Sequence, residues 1–306
     1  MKRRKFLKNL ALGTGGMLIS NSVLSATLSS SSKSKRIVIL HTNDTHSNIE
    51  PFPANHPKFP GMGGVAKRYS LIQKIRSENE HVLLLDSGDI FQGTPYFNTF
   101  NGELEMKLMS KMGYDAATMG NHDFDIGLDG FLNAKKHANF PFVCSNYNFS
   151  KTVLVNETEL YHIFKKGGIK IGVFGIGIDL NGLVPTDKFG GTVYNDPIET
   201  ANSMAQLLTD LGCKLIICLS HLGYDYEDKT RISDLVIAKN TANIHLILGG
   251  HTHTFLEKPT VLENRNKQQV VINQVGWAGI NLGRIDIDID IDIETGILKS
   301  STLEVK

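Results

Sequence analysis

From about Arg36 onward, apolar and polar residues alternate along the chain in two different periods. Short uninterrupted apolar runs predict buried β-strands. Longer stretches with an apolar residue at every third or fourth position predict amphipathic helices between them. Because this alternation is typical of layered α/β folds, we expect an α/β domain. The predicted strands are residues 37–41, 82–85, 142–144, 169–174, 214–219 and 244–248.

The clearest helix prediction covers residues 196–211. Asp196 is a typical N-cap residue, Pro197 suits the first turn, and Glu199 stands where a capping box places its acid. Gly212 is typical of the residue that follows a helix end. A second apolar stripe predicts another helix that faces the core, formed by Leu104, Leu108 and Met112 and ended by Gly113.

Near the end of the chain, residues 285–294 alternate isoleucine with aspartate or glutamate. A period of two residues predicts a strand with one buried face and one solvated face. A calcium-binding EF-hand loop is the weaker interpretation, because Ile291 stands at the sixth position, where that loop requires glycine.

Composition excludes several classes of protein. Hydrophobic residues make up 41% and charged residues 21%, as in ordinary globular proteins. The net charge is +1 with five basic residues among the first eight, so the remainder carries −4 and gives no basis for binding a nucleic acid polymer. An odd number of cysteines without zinc-ribbon or redox spacing predicts plain core residues, namely Cys144, Cys213 and Cys218.

The first 26 residues have the layout of an export signal, with a basic start, a weakly apolar middle and small residues at the end. The apolar part is too short and too rich in glycine and serine for a membrane span, so we expect no integral membrane segment in the mature protein. The pair Arg3-Arg4, followed by Phe6-Leu7-Lys8, resembles the twin-arginine export motif, and a general secretion signal is the alternative.

This organisation predicts an export signal at residues 1–26, a serine-rich linker at 27–35 and one domain at 36–306. The signal is of a bacterial kind, so we expect a periplasmic or extracellular protein.

Five polar clusters each follow a strand-like segment. In open α/β sheets, ligands bind outside the carboxyl ends of the strands, so we expect these clusters to meet at one edge. They are Asp44-Thr45-His46, Gly88-Asp89, residues 120–125, Ser220-His221 and residues 249–253.

The clusters offer carboxylate, amide and imidazole donors but no thiolate, a mixture that suits Zn²⁺, Mn²⁺ or Fe. The spacing of Asp44 with His46, and of His251 with His253, directs both side chains of a pair the same way on an extended backbone. Such a set is large enough to hold two ions that share one carboxylate. Two ions ~3.5–4 Å apart form the clamp used in phosphoester hydrolysis.

Taken in order, the clusters resemble those of the calcineurin-like metallophosphoesterases, and in particular the 5′-nucleotidase branch. The resemblance lies in the segments HTNDTH, DSGDIFQGTPYF, GNHDFD, SHLG and GGHTH, and it runs from Arg36 to the terminal strands. It implies the metallophosphatase fold, a four-layer sandwich of two mixed β-sheets flanked by helices, with a two-metal site at the sheet edge.

The resemblance also implies a role for each residue. His122 with Asp125 would be the catalytic dyad, and Asn121 would both bind metal and orient the phosphate. The cofactors would be two divalent ions, with Mn, Zn, Fe or Co as candidates. The first ion would be bound by Asp44, His46, Asp89 and His253, with Asp89 bridging to a second ion held by Asn121, His221 and His251.

We therefore expect an exported two-metal phosphohydrolase for small phosphate monoesters, with nucleoside 5′-monophosphates as the first candidate substrates. The alternatives are a phosphodiesterase or nucleotide-sugar hydrolase on the same site, and a non-catalytic binding subunit of a split nucleotidase. Phe91, Tyr96 and Phe97 follow Asp89 and would line either the substrate cleft or the core.

Many 5′-nucleotidases of this type carry a second domain whose aromatic residues hold the base, whereas this chain ends at Lys306. This predicts a phosphatase that distinguishes nucleotides from simple phosphate esters by less than about tenfold in kcat/KM. It also predicts that a separate substrate-binding chain docks over the cleft.

Overall fold

The computed structural model describes residues 35–289 and 296–306, so the predicted export signal lies outside the described residues. The strands are β1 (Lys35–Thr42), β2 (Val82–Asp86), β3 (Ala116–Ala117), β4 (Tyr147–Asn148), β5 (Tyr161–Lys166), β6 (Ile169–Gly177), β7 (Val193–Tyr194), β8 (Leu215–His221), β9 (Leu246–Leu248), β10 (Thr260–Glu263), β11 (Gln269–Asn273), β12 (Asn281–Ile289) and β13 (Gly296–Glu304). The helices are α1 (Val65–Glu78), α2 (Pro95–Phe100), α3 (Glu103–Met112), α4 (Gly127–Lys135), α5 (Thr186–Phe189), α6 (Pro197–Asp210) and α7 (Asp234–Asn240), with a 3₁₀ turn at His122–Phe124.

The strands form two large mixed sheets and one small one. The first sheet has the order β13-β12-β1-β2-β3, with β1, β2 and β3 parallel and β12 and β13 antiparallel. The second has the order β10-β11-β9-β8-β6-β5, with four parallel strands between antiparallel edges. Strands β4 and β7 pair separately.

Three apolar cores lie between four layers. The middle core combines residues of the first sheet, such as Ile39 and Leu85, with residues of the second, such as Val173 and Ile217. Helices α1, α3 and α4 cover the outer face of the first sheet, and α6 and α7 cover that of the second. This arrangement confirms the predicted sandwich of two mixed sheets flanked by helices.

Helix α6 begins and ends as its sequence predicts. Oδ1 of Asp196 accepts hydrogen bonds from the backbone N–H groups of Ile198 and Glu199, each at 2.8 Å. This satisfies two of the donors that a helix N-terminus leaves free. After the last turn, Gly212 has φ +82°, a conformation that favours glycine.

The predicted core face of helix α3 is confirmed at Met112 but is wrong at Leu104. Leu104 and Leu108 are only half-buried, while Met106 and Met109 are buried together with Met112. The reason is that α3 packs against other helices as well as the sheet, so its buried face follows the methionine row. The prediction that Gly113 ends the helix is confirmed, since its φ is +78°.

Two strand predictions need correction. Residues 142–144 form only isolated bridges, from Phe142 to Ala117 and from Val143 to Glu159, because they continue the first sheet beyond its shortest strand. In β12, Ile285 and Ile287 face the middle core as predicted, but Asp286 is also buried, beneath the guanidinium of Arg284. Residues 290–294 of that prediction lie outside the described part of the chain.

The cysteines are confirmed as free and buried. Within residues 35–289 and 296–306, no helix is long and apolar enough to cross a bilayer.

Candidate metal centre

The polar clusters lie on loops that leave the carboxyl ends of strands in both sheets. Asp44 and His46 follow β1, Asp89 follows β2, and residues 120–125 follow β3. His221 ends β8, and residues 249–253 follow β9. The structure brings donor atoms of these loops together, so each sheet contributes to one shared site.

Asp44, His46 and His253 form the first donor group, with one ligand atom of each within 4.8 Å of the others. Nε2 of His253 lies 3.0 Å from Nε2 of His46 and 3.4 Å from Oδ1 of Asp44. Nε2 of His46 lies 3.9 Å from the same Asp44 oxygen.

Asp89, His221 and His251 form the second donor group under the same criterion. Nε2 of His221 lies 3.1 Å from Oδ2 of Asp89. Oδ1 of Asn121 lies 2.8 Å from Nδ1 of His251, so the amide oxygen belongs to this group as well.

The Asp89 carboxylate stands between the two groups. Its Oδ2 lies 3.8 Å from Nε2 of His46 and 3.1 Å from Nε2 of His221. A carboxylate in this position can be shared between two cations.

Backbone carbonyls fix the tautomers of two histidines. Nδ1 of His46 lies 3.1 Å from the carbonyl of Phe91, and Nδ1 of His221 lies 2.7 Å from that of Ser87. Because a carbonyl only accepts, each Nδ1 carries the hydrogen and each Nε2 turns its lone pair to the cluster. Metal-binding histidines commonly donate their other ring N–H to a backbone carbonyl or carboxylate in this way.

The residues present fit a metal cation. Nε2 of His221 is buried and makes no hydrogen bond, although the Asp89 carboxylate lies beside it. Burial lowers the pKa of His221, but the Asp89 carboxylate, the charge of Asp44 and the carbonyl of Ser87 together outweigh burial and raise it to about 10. The space between Nε2 of His221 and the Asp89 carboxylate therefore favours a positive charge, which a proton or a metal ion supplies.

Five of the donor residues have left-handed backbone conformations, which are uncommon for residues other than glycine. Such conformations cost energy and cluster at functional sites, because the surrounding structure holds them in place. The φ angles are +50° at Asp44, +46° at His46, +55° at Asp89, +72° at His251 and +51° at His253.

His122 and Asp125 lie at the rim of the site. Nδ1 of His122 is 2.8 Å from Oδ2 of Asp125, and this hydrogen bond raises the pKa of His122. The backbone N–H of His122 donates to Oδ1 of Asp89 at 2.8 Å, and its ring centroid lies 5.3 Å from that of His46. The side chain is 37% exposed, so its free nitrogen can reach a bound substrate.

Sequence reasoning missed the role of Asp123. Its buried carboxylate accepts backbone N–H groups from Gly120, Asp89, Ile90 and Phe91 at 2.8 to 3.2 Å. Burial raises the pKa of Asp123 to about 7. These bonds tie the Asp89 loop to the Asn121 loop. The available signal was a second acidic residue, beside Asp125, within the 120–125 cluster.

Asn43 is a second missed residue. Its side-chain amide donates to the carbonyl of Gly276 at 2.6 Å and accepts from the N–H of Val275 at 3.0 Å. It therefore joins the Asp44 loop to the loop after β11.

The aromatic residues after Asp89 divide between the core and the surface. Phe91 and Phe97 are buried in the core beneath α3 and α4. Tyr96 donates its hydroxyl hydrogen to Glu50 at 3.1 Å. The core interpretation is therefore the correct one for both phenylalanines.

Relatives of known function share most of this chain. It is 37% identical to a snake venom 5′-nucleotidase of Gloydius brevicauda over 238 residues, 76% of this chain and 39% of that protein. It is 31% identical to the trifunctional nucleotide phosphoesterase YfkN of Bacillus subtilis over 309 residues, 88% of this chain and 19% of that protein. The chain thus spans less than half the length of these relatives.

Solved structures share the fold. A 5′-nucleotidase precursor of Thermus thermophilus superimposes with a TM-score of 0.79 at 29% identity, over 88% of this chain and 54% of that one. The NAD nucleotidase of Haemophilus influenzae superimposes with a TM-score of 0.75 at 26% identity. The superposition covers 87% of this chain and 49% of that one.

The sequence pattern of the calcineurin-like phosphoesterases matches residues 37–255, which carry all five polar clusters. The chain therefore belongs to the calcineurin-like phosphoesterase family, whose members are metal-dependent phosphoric ester hydrolases.

Proposed function

We propose that this protein is a two-metal phosphohydrolase that cleaves small phosphate monoesters, with nucleoside 5′-monophosphates as its substrates. The observation that carries the proposal is the position of the Asp89 carboxylate between His46 and His221, at 3.8 and 3.1 Å. This position supports two ion sites that share Asp89. One site would use Asp44, His46 and His253, and the other would use Asn121, His221 and His251. Mn, Zn, Fe and Co all suit these donors.

Bound divalent cations supply Lewis acidity, which activates water as a nucleophile and neutralises phosphate oxygens. His122 then acts at the rim, where Asp125 holds Nδ1 and leaves Nε2 to donate a proton to the departing ester oxygen. Asn121 orients a phosphate oxygen while its amide stays within reach of His251. Carbonyls at Phe91 and Ser87 keep the imidazoles in one orientation throughout.

We also propose that the protein is exported through its residues 1–26 and works in the periplasm or outside a bacterial cell. A separate substrate-binding chain that docks over the cleft is part of the same proposal. No nucleic acid polymer is proposed as a substrate, since the chain beyond its first eight residues is mildly acidic.

A diesterase or nucleotide-sugar hydrolase activity is the second candidate. It is favoured by the likeness to a trifunctional nucleotide phosphoesterase of Bacillus subtilis and a NAD nucleotidase of Haemophilus influenzae. A non-catalytic binding subunit is the third candidate, and the complete donor set opposes it.

A substrate panel separates these candidates. The protein is stripped with a chelator, reloaded with Mn²⁺, Co²⁺ or Zn²⁺, and assayed with AMP, a bis-aryl phosphate diester and UDP-glucose. We expect metal-dependent release of phosphate from AMP. Full activity of metal-free protein would refute the two-metal proposal, and activity on the diester alone would select the second candidate.

A further inference from the structure

A chain of neighbouring aromatic rings begins at the candidate metal ligand His253. Trp277 stacks on His253 with centroids 5.7 Å apart and planes 8° apart. Phe52 lies edge-on to Trp277 at 5.9 Å and contacts Phe59 at 5.8 Å, and Phe59 stacks with Phe255 at 5.9 Å. We call Phe52, Phe59, Phe255 and Trp277 the aromatic platform.

The platform is not part of the hydrophobic interior. None of its four rings belongs to the three apolar cores of the described residues, whereas Phe91 and Phe97 do. Phe255 is 43% exposed at the outer end. Phe52, Phe59 and Trp277 are half-buried, so the platform is an aromatic cluster that lies apart from the cores and is partly open to solvent.

The platform borders the side from which solvent reaches the metal centre. The side chains of His253 and His122 are 40% and 37% exposed. Those of Asp44, Asp89 and His221 are nearly or fully buried. A phosphate ester must therefore approach over His253 and His122, and its organic part then lies beside Trp277.

Hydrogen bonds hold the platform in a fixed position relative to the site. The N–H of Ala278 donates to the carbonyl of Asp44 at 2.7 Å. The side chain of Asn43 forms hydrogen bonds with the neighbouring Gly276 and Val275. On the opposite loop, the N–H of Phe59 donates to Nδ1 of His56 at 2.9 Å. A surface held in its binding geometry loses little conformational entropy when a ligand docks.

We propose that the aromatic platform binds the planar ring of the substrate, so that the preferred esters are those with a nucleobase or another aromatic group. This rests on the proposed phosphohydrolase function and names its substrate class. Flat rings stack on aromatic side chains without needing a specific hydrogen-bond pattern. The chain's own loops would then discriminate against aliphatic phosphates, contrary to the expectation of an indifferent phosphatase.

Trp277 is the single tryptophan of the chain, so its fluorescence reports on the platform directly. Adenosine and ribose carry no phosphate and test binding without hydrolysis. We expect saturable adenosine-induced quenching and no response to ribose. Phe255→Leu and Phe59→Leu should each weaken adenosine binding about five- to tenfold. Phe100→Leu is the matched control, since Phe100 is 44% exposed and lies outside the platform.

The kinetic arm compares AMP with ribose 5-phosphate in the metal-loaded protein. Phe255→Leu should lower kcat/KM for AMP about five- to tenfold, mainly through KM, and for ribose 5-phosphate less than about twofold. Equal losses for both esters, or no loss for either, would overturn the proposal. So would the absence of adenosine binding, which would leave recognition of the base to the separate substrate-binding chain. Failure of the unmodified protein to cleave either ester would refute the proposed function alone, because the fluorescence arm still tests the platform.

Discussion

Asp89 combines a strained backbone, full burial and contact with histidines of both donor groups. Its φ is +55°, and its carboxylate faces His46 on one side and His221 on the other. Burial raises the pKa of Asp89, but His221, His46 and His122 together lower it well below its usual range, so the carboxylate is held ionised. A residue placed in this way serves two cations at once.

Replacing Asp89 should therefore harm metal binding more than replacing any other single ligand. We expect Asp89→Asn to weaken both ions, while Asp44→Asn mainly weakens one. Native mass spectrometry on the two variants counts the ions retained. Two ions still bound at native affinity in Asp89→Asn would remove the bridging role.

His122 should affect the chemical step rather than the metal. Its ring contacts the site through His46, but the two donor groups do not include it. We expect His122→Ala to keep its metal and to lose roughly 10²–10⁴ in kcat, the usual value of a general acid or base. Asp125→Asn should lose less, because it acts through His122.

Kinetics and metal analysis of the same samples test this assignment. Loss of metal from His122→Ala would mean that His122 is a ligand. A larger kcat loss in Asp125→Asn than in His122→Ala would contradict the order of action within the pair.

The sequence predicted which side chains meet at the metal centre, but it did not predict the hydrogen bonds that hold their loops together. The candidate metal ligands stand at or just after the ends of strands, and this pattern can be read directly from the sequence. They are Asp44, His46, Asp89, His221, His251 and His253. Asp123 and Asn43 act through backbone groups of distant loops, at Asp89 and at Gly276. Such partners depend on tertiary packing, which one sequence does not encode in any local pattern.

At the scale of the elements, the loops after β2 and β3 are packed too closely for a side chain at Gly120. A Cβ there would collide with the Asp89 carboxylate and lie 2.6 Å from Cε1 of His221. We expect Gly120→Ala to displace Asp89 and to reduce metal binding at least tenfold. Gly190→Ala is the control, because its Cβ would meet only the carbonyl oxygen of Thr186, at 3.3 Å.

Isothermal titration with Mn²⁺ measures both variants. Equal affinity in Gly120→Ala and the native protein would show that the two loops separate without cost. Loss of affinity in Gly190→Ala as well would point to a general effect of added methyl groups.

Strands with continuous apolar runs were predicted well, and edge strands were not. Strands β1, β2, β6 and β8 are buried on both faces, so hydrophobicity alone marks them. Strands β5 and β10 lie at sheet edges and keep half-buried or exposed residues, which weakens that signal. Part of the face of α3 was missed because helix neighbours, rather than the sheet alone, decide which residues it buries.

At the scale of the whole molecule, the proposed export route has its own test. We expect the double variant Arg3→Lys with Arg4→Lys to accumulate as a precursor in the cytoplasm, because the paired arginines are the signal that the twin-arginine route reads. Cell fractionation with an antibody to the mature domain measures it. Normal export of the double variant would select the general secretion route.

The proposed metal centre also joins the two sheets of the sandwich. Asp44, His46 and Asp89 follow strands of the first sheet, while His221, His251 and His253 belong to the second. Each donor group therefore includes residues from both sheets. An ion bound to either group connects the sheets at the edge where their strands end.

Metal binding should consequently stabilise the whole domain. A metal ion whose free concentration is about 100 times its dissociation constant adds about 2.7 kcal/mol to the free energy of unfolding. For a domain of this size, that corresponds to a rise in Tm of roughly 5–10 °C. Calorimetry of chelator-treated protein with and without Mn²⁺ measures the shift, with Asp89→Asn as the variant in which it should shrink. An unchanged Tm after verified removal of all metal would show that the sheets do not depend on the ions.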